Sequence, residues 1–132
     1  GVPERLLRER TDEILATVQL SDRASDRIDT YSGGMRRRIN IAAGLLHRPE
    51  VLFLDEPTVG IDPQTRRNIL ELVLALNSEG LTVLYTTHYL EEAESLCRNI
   101  AIINQGRIVE QGTHEELLAR SADYQKIFAR YE

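Results

Sequence analysis

The stretch Val51-Leu52-Phe53-Leu54-Asp55-Glu56-Pro57 decides how the rest of the chain is read. Four apolar residues in a row are too few for an ordinary helix. An unbroken apolar run is what a strand covered on both faces of a parallel sheet requires. The run stops at two carboxylates and a proline. Placing carboxylates there is costly unless water, a metal or hydrogen-bond donors meet them. Asp55 and Glu56 therefore end either a strand that turns into solvent or one that faces a charged ligand. In the second case Asp55 could hold a divalent ion, directly or through its waters, and Glu56 could align an attacking water.

On the N-terminal side, Ser32-Gly33-Gly34 opens a predicted helix that Pro49 ends, with Met35, Ile39, Ala42, Ala43 and Leu46 on one broad face. A hydroxyl and bare backbone N–H groups at a helix start suit an anion such as phosphate. An ordinary N-cap has the same appearance. Arg36-Arg37-Arg38 follows, but adjacent helical residues diverge and cannot form one claw, so solvated surface and salt bridges account for most of them. Further upstream, a helix is predicted from Pro3 to Val18, with Leu7, Ile14, Leu15 and Val18 as its apolar stripe. A polar connector, 21–30, follows it.

On the C-terminal side, Asp62 reads as an N-cap with Pro63 in the first turn, Ile69, Leu70, Val73 and Leu76 face inward, and Gly80 closes the helix. A second apolar strand, Leu81 to Thr87, ends at His88. The pattern continues with a helix from Leu90 to about Leu96 and a hairpin of 100–103 and 107–109 around Gln105-Gly106. A helix with capping-box spacing at Thr113 and Glu116 comes next, and a last helix starts near Ser121. This order predicts an α/β fold with parallel core strands, flanking helices and a small C-terminal hairpin. Right-handed crossovers bring the C-terminal ends of the core strands to one edge, where open α/β sheets bind ligands. Asp55, Glu56 and His88 are expected to converge there. His88 could hydrogen-bond a phosphate or a water, although a lone histidine also serves structure. His47 and His114 lie at helix ends, without metal-ligand spacing.

The net charge of −5 over 132 residues disfavours a broad nucleic-acid face. The single cysteine, Cys97, cannot close an internal disulfide and reads as a small buried hydrophobe. No apolar run reaches the ~18–20 residues of a bilayer span, and Gly1 to Arg10 lacks a signal-peptide core. A cytosolic location follows as the expectation.

Taken together, these segments resemble the ATP-binding domain of ABC transporters. Tyr31-Ser32-Gly33-Gly34-Met35 resembles the signature motif. Val51 to Glu56 is similar to the Walker B strand with its catalytic glutamate. Val59-Gly60-Ile61-Asp62 looks like the D-loop, and Thr86-Thr87-His88 looks like the switch-histidine loop. The resemblance spans nearly the whole chain. The wording Thr86-Thr87-His88-Tyr89-Leu90-Glu91-Glu92-Ala93 is similar to ATPase subunits of ABC-2-type drug and antibiotic exporters. Ile61 stands where leucine is usual, and Arg98-Asn99 stands where Asp-Arg is common. The phosphate-binding pattern G-x-x-x-x-G-K-[ST] is absent: the one lysine, Lys126, follows Gln125. The resemblance therefore implies a partial P-loop NTPase-type sheet. Residues 1–30 would be the end of the helical subdomain, and 31–132 the C-terminal part of the ATPase core.

The same resemblance implies a head-to-tail dimer of complete domains holding two ATP molecules. Ser32, Gly33 and Gly34 of one subunit would cap the γ-phosphate bound by the other. Asp55 would serve Mg²⁺, Glu56 the attacking water, and His88 both γ-phosphate and water, while Asp62 would link the two sites. The motion would drive a transmembrane permease subunit from the inner face of the cell membrane, in a transporter exporting drugs or other small molecules. Two alternatives are a soluble ABC protein without a membrane partner and a non-catalytic interaction module that keeps the dimer surface. Because a P-loop supplies most phosphate contacts, the isolated chain is expected to be inactive alone and to bind Mg-ATP only weakly. Titration calorimetry checks this, and a micromolar dissociation constant would contradict it.

Overall fold

A computed structural model describes residues 2–129. The elements are α1 (Glu4–Thr17), α2 (Gly33–Leu45), β1 (Val51–Asp55), α3 (Pro63–Ser78), β2 (Thr82–Thr86), α4 (Leu90–Leu96), β3 (Ile100–Asn104), β4 (Arg107–Gly112), α5 (His114–Arg120) and α6 (Ala122–Phe128). Two short 3-10 turns, Ser21–Arg23 and Ile28–Thr30, break the connector between α1 and α2. β1 pairs with β2 as a parallel pair, and β3 pairs with β4 antiparallel. The α/β class, the parallel pair and the hairpin agree with the sequence pattern. The chain divides into two compact units, 1–84 and 85–132.

In the first unit, Val18, Leu20, Tyr31 and Ala42 form a buried cluster, with Ile14, Leu15, Met35, Ile39 and Leu72 against it. α1 contributes only its C-terminal half. Leu7 is exposed, contrary to the predicted stripe, because the cluster begins about two turns beyond it, at Ile14. α2 buries Gly34, Ile41, Ala42 and Leu45, so the buried face is rotated from the predicted one and Ala43 is exposed. α2 also ends before Pro49, as the chain turns through a left-handed Arg48 whose N–H donates to Leu45 O at 3.0 Å.

β1 departs most from the sequence reading. Leu52 and Leu54 are buried, but Val51 is exposed and Phe53 is 71% exposed. The apolar run implied cover on both faces, and the structure covers one. α2 lies against that side: a Cβ on Gly44 would stand 3.1 Å from Leu52 Cδ1. The sheet holding β1 has two strands among the described residues, and the Val51–Phe53 face is left open.

α3 follows its pattern. The Asp62 carboxylate caps it, Pro63 occupies the first turn, and Ile69, Val73 and Leu76 are buried. Gly80, at φ +101°, reverses the chain in a conformation open to glycine but strained for other residues. In the second unit, Gln105 (φ +48°) and Gly106 (φ +72°) make a two-residue turn of the kind that matches strand twist. β4 runs to Gly112, past the predicted end, and the register shifts between Ile102 and Ile103. The Thr113–Glu116 capping box is present, and Ser121 caps α6. Ile100, Leu117 and Tyr124 form the core of this unit, with Cys97 packed at its side.

Ile69 has no exposed surface, whereas Leu74 on the other side of α3 is largely exposed. Ile69→Ala should therefore lower the unfolding free energy by about 2–5 kcal/mol. Leu74→Ala should stay within about 0.5 kcal/mol. Urea unfolding of both variants tests this, and equal losses would contradict the assigned core face.

Candidate functional site

The first unit carries the signature-like helix start, the paired carboxylates and the cap of α3. Ser32 adopts φ −62° and ψ 165°, and its Oγ accepts the Met35 N–H at 3.2 Å. The N-cap reading of Ser32 therefore holds. It does not compete with anion binding, since the first N–H groups of a helix have no intrahelical partners and sit at the positive end of its dipole.

The two glycines differ. Gly33 is exposed, and a Cβ there would meet nothing within 4 Å. Gly34 is buried, and a Cβ there would lie 2.4 Å from Thr65 Cγ2 and 2.8 Å from Thr65 Oγ1. Gly34 is thus required by close packing of the start of α2 against the start of α3. Thr65 is fixed in turn by Asp62, whose Oδ1 accepts the Thr65 N–H at 2.9 Å and whose Oδ2 accepts the Thr65 hydroxyl at 2.5 Å. Two segments 28 positions apart, the one at Gly34 and the one at Asp62, are brought together through Thr65. The sequence offered no signal for Thr65. The Thr65 hydroxyl, followed by its N–H, holds the Asp62 carboxylate below the usual carboxylate range. The charged cap is therefore present above the ordinary aspartate pKa and lost as pH falls through the lower folded value.

Asp55 and Glu56 are both exposed at the end of β1. Glu56 has φ +44°, in the left-handed region. A non-glycine residue there carries strain of order 1–3 kcal/mol, and such strain concentrates at functional sites. The turn that imposes it is anchored by buried Pro57 and Thr58 and closed by the Val59 N–H donating to Glu56 O at 3.2 Å. Gly60 follows at φ +75°. No cluster of three or more metal-ligating side chains occurs among the described residues. The described side chains therefore offer no all-protein cage for a metal ion at Asp55.

The arginine run is not a phosphate claw. Arg36 donates to Asp29 O at 3.0 Å, and Arg38 donates to Val18 O and Gln19 O at 3.1 and 3.2 Å. Both clasp backbone carbonyls between α1 and α2. Tyr31 is buried and donates its hydroxyl to Arg23 O at 2.8 Å.

His88 lies in the second unit, exposed, with its ring centroid 4.3 Å from that of Tyr89. Next to it is a residue that the sequence reading passed over. Glu92 is buried, and its Oε2 accepts hydroxyl hydrogen bonds from Tyr85 and Thr87, each at 2.9 Å. The available signal was a glutamate in the first turn of a helix opening just past the histidine. His114, half-buried, meets the hydroxyl of the core residue Tyr124 at 2.9 Å and the exposed Glu94 at 3.5 Å. Burial pushes the Cys97 thiol up, in keeping with an inert packing role.

The family described as "AAA domain, putative AbiEii toxin, Type IV TA system" matches residues 4–92. The chain belongs to this AAA-domain family. The chain's likeness to the ATP-binding cassettes of ABC transporters is borne out by the relatives and solved structures it matches. It is 56% identical over 120 residues to the linearmycin resistance ATP-binding protein LnrL of Bacillus subtilis, covering 91% of this chain and 39% of that protein. It is 46% identical over 123 residues to the doxorubicin resistance ATP-binding protein DrrA of Mycobacterium tuberculosis, covering 93% and 37%. The structure of cbiO1 from Clostridium perfringens, part of the ABC transporter complex cbiONQ, superposes with a TM-score of 0.82 at 30% identity, covering 98% of this chain and 52% of that one. The chain thus spans under two fifths of the length of these curated relatives.

In this cassette segment, Gly34→Ala should cost about 1–3 kcal/mol of stability through overpacking. Gly33→Ala should change stability by less than about 1 kcal/mol, since its Cβ enters open space. Thermal melts of both variants check the difference, and a harmless Gly34→Ala would show that the α2–α3 approach is looser than described.

Proposed function

We propose that this segment belongs to an ATPase that binds and hydrolyses ATP to power an ABC exporter of drugs or other small molecules. Glu56 carries the reading. It is an exposed carboxylate held in a strained backbone conformation at the end of a strand, directly after Asp55. The printed names of the relatives, ATP-binding proteins of linearmycin and doxorubicin resistance, support the same direction.

In this reading Glu56 orients the attacking water and accepts its proton, and His88 donates to the γ-phosphate and that water. Ser32 and the N–H groups of Gly33 and Gly34 meet the phosphate of an ATP held by a second ATP-binding domain, head to tail. Asp62 serves both as the cap of α3 and as a link between the paired sites. Asp55 would hold Mg²⁺, which when bound neutralises phosphate charge. Residues 1–30 form the end of the helical subdomain, and 31–132 belong to the ATPase core. No described helix is long and apolar enough to cross a membrane. The membrane part falls to a separate permease subunit, with the ATPase on the cytoplasmic inner face. The open Val51–Phe53 face is then covered by the remainder of the domain, as an apolar patch of that kind requires.

In the full-length protein, Glu56→Gln should lower the rate of ATP hydrolysis by about 10²–10⁴-fold, the range a positioned general base supplies, and leave ATP affinity unchanged. Phosphate release and equilibrium nucleotide binding, measured side by side, test this. Turnover retained by Glu56→Gln removes Glu56 from the chemistry.

A further inference from the structure

We propose that Glu92 is a positioning residue for His88, its buried carboxylate fixing the backbone on both sides of the histidine. The proposal rests on the nucleotide-facing role given to His88 above. Glu92 is 3% exposed and sits in the first turn of α4. Its Oε2 accepts the hydroxyls of Tyr85 and Thr87, each at 2.9 Å. The Thr87 hydroxyl, which donates its hydrogen bond to Glu92, accepts the Tyr89 N–H at 3.0 Å. One hydroxyl thereby ties together the residues before and after His88, and the carboxylate anchors that hydroxyl. The connection returns to the helix, where the N–H groups of Glu92 and Ala93 donate to Tyr89 O at 3.2 and 3.3 Å.

A buried carboxylate is a poor choice where packing alone is needed, because an apolar side chain fills the same volume without desolvating a charge. What the side chain adds is one oxygen that accepts two hydroxyl donors at once. The result is an exposed imidazole on a backbone with little freedom, as a group that must meet a phosphate to within about 0.5 Å requires.

The test is ATP turnover of the full-length protein as a function of ATP concentration. Glu92→Ala should lower kcat by about tenfold or more, as misplacement of a catalytic group does. KM for ATP should stay within about twofold, since substrate binding is not the interaction removed. Glu92→Gln should retain kcat within about threefold, because its carbonyl oxygen can still accept both hydroxyls. Thr87→Val removes the same donor and acceptor without touching the carboxylate and should reproduce the loss, even where Glu92→Ala does not fold. In a His88→Ala background, neither change should reduce kcat further. Unchanged kcat in Thr87→Val, with His88→Ala inactive, overturns the positioning role and leaves the reading of His88 standing. Losses that multiply in the double variants overturn it as well, since Glu92 would then act independently of His88. Full turnover in His88→Ala defeats the reading of His88 itself and the proposal with it.

Discussion

The approach of α2 to α3 at Gly34 is the constraint on which the first unit depends. A hydrogen in place of a side chain lets Thr65 occupy the space a Cβ would fill. Thr65 is held there by both oxygens of Asp62. Gly33 faces open space, which suits the phosphate contact proposed for it. Gly34 has a different physical reason, which is steric and internal. The contact places Thr65 between the α2 N-terminus and the Asp62 carboxylate.

Two exposed groups, Glu56 in the first unit and His88 in the second, stand on backbone that is held by different devices. Glu56 is fixed by backbone strain: a turn anchored on buried Pro57 and Thr58 forces it to positive φ. His88 is fixed by side-chain hydrogen bonds that converge on a buried carboxylate. In both cases an exposed polar side chain stands on a backbone that is tied down by buried neighbours.

Between these groups, much of the chain is scaffold. Arg36 and Arg38 spend their charge on backbone carbonyls of the connector, and Tyr31 is core. The exposed Val51 and Phe53 belong to a strand whose second face has no cover among the described residues. A segment spanning under two fifths of its relatives' length leaves room for that cover in the rest of the domain.

Elements that follow local rules were legible from the sequence alone. The Asp62 cap with Pro63, the Gly80 reversal, the Gln105-Gly106 turn and the Thr113–Glu116 capping box depend on a few adjacent residues and appear as expected. The motif residues Ser32, Gly33, Gly34, Asp55, Glu56, Asp62 and His88 could be named because their order and spacing lie along the chain. The facts that required distant partners were not legible: the buried face of α2, the one-sided cover of β1, the use of Gly34 against Thr65, and the capture of Thr87 by Glu92. Periodicity shows that a face will be buried but not which neighbour buries it, and residue type shows that a carboxylate can accept a hydrogen bond but not from whom. Only tertiary structure settles both, because both depend on distances in space between residues that the chain keeps apart.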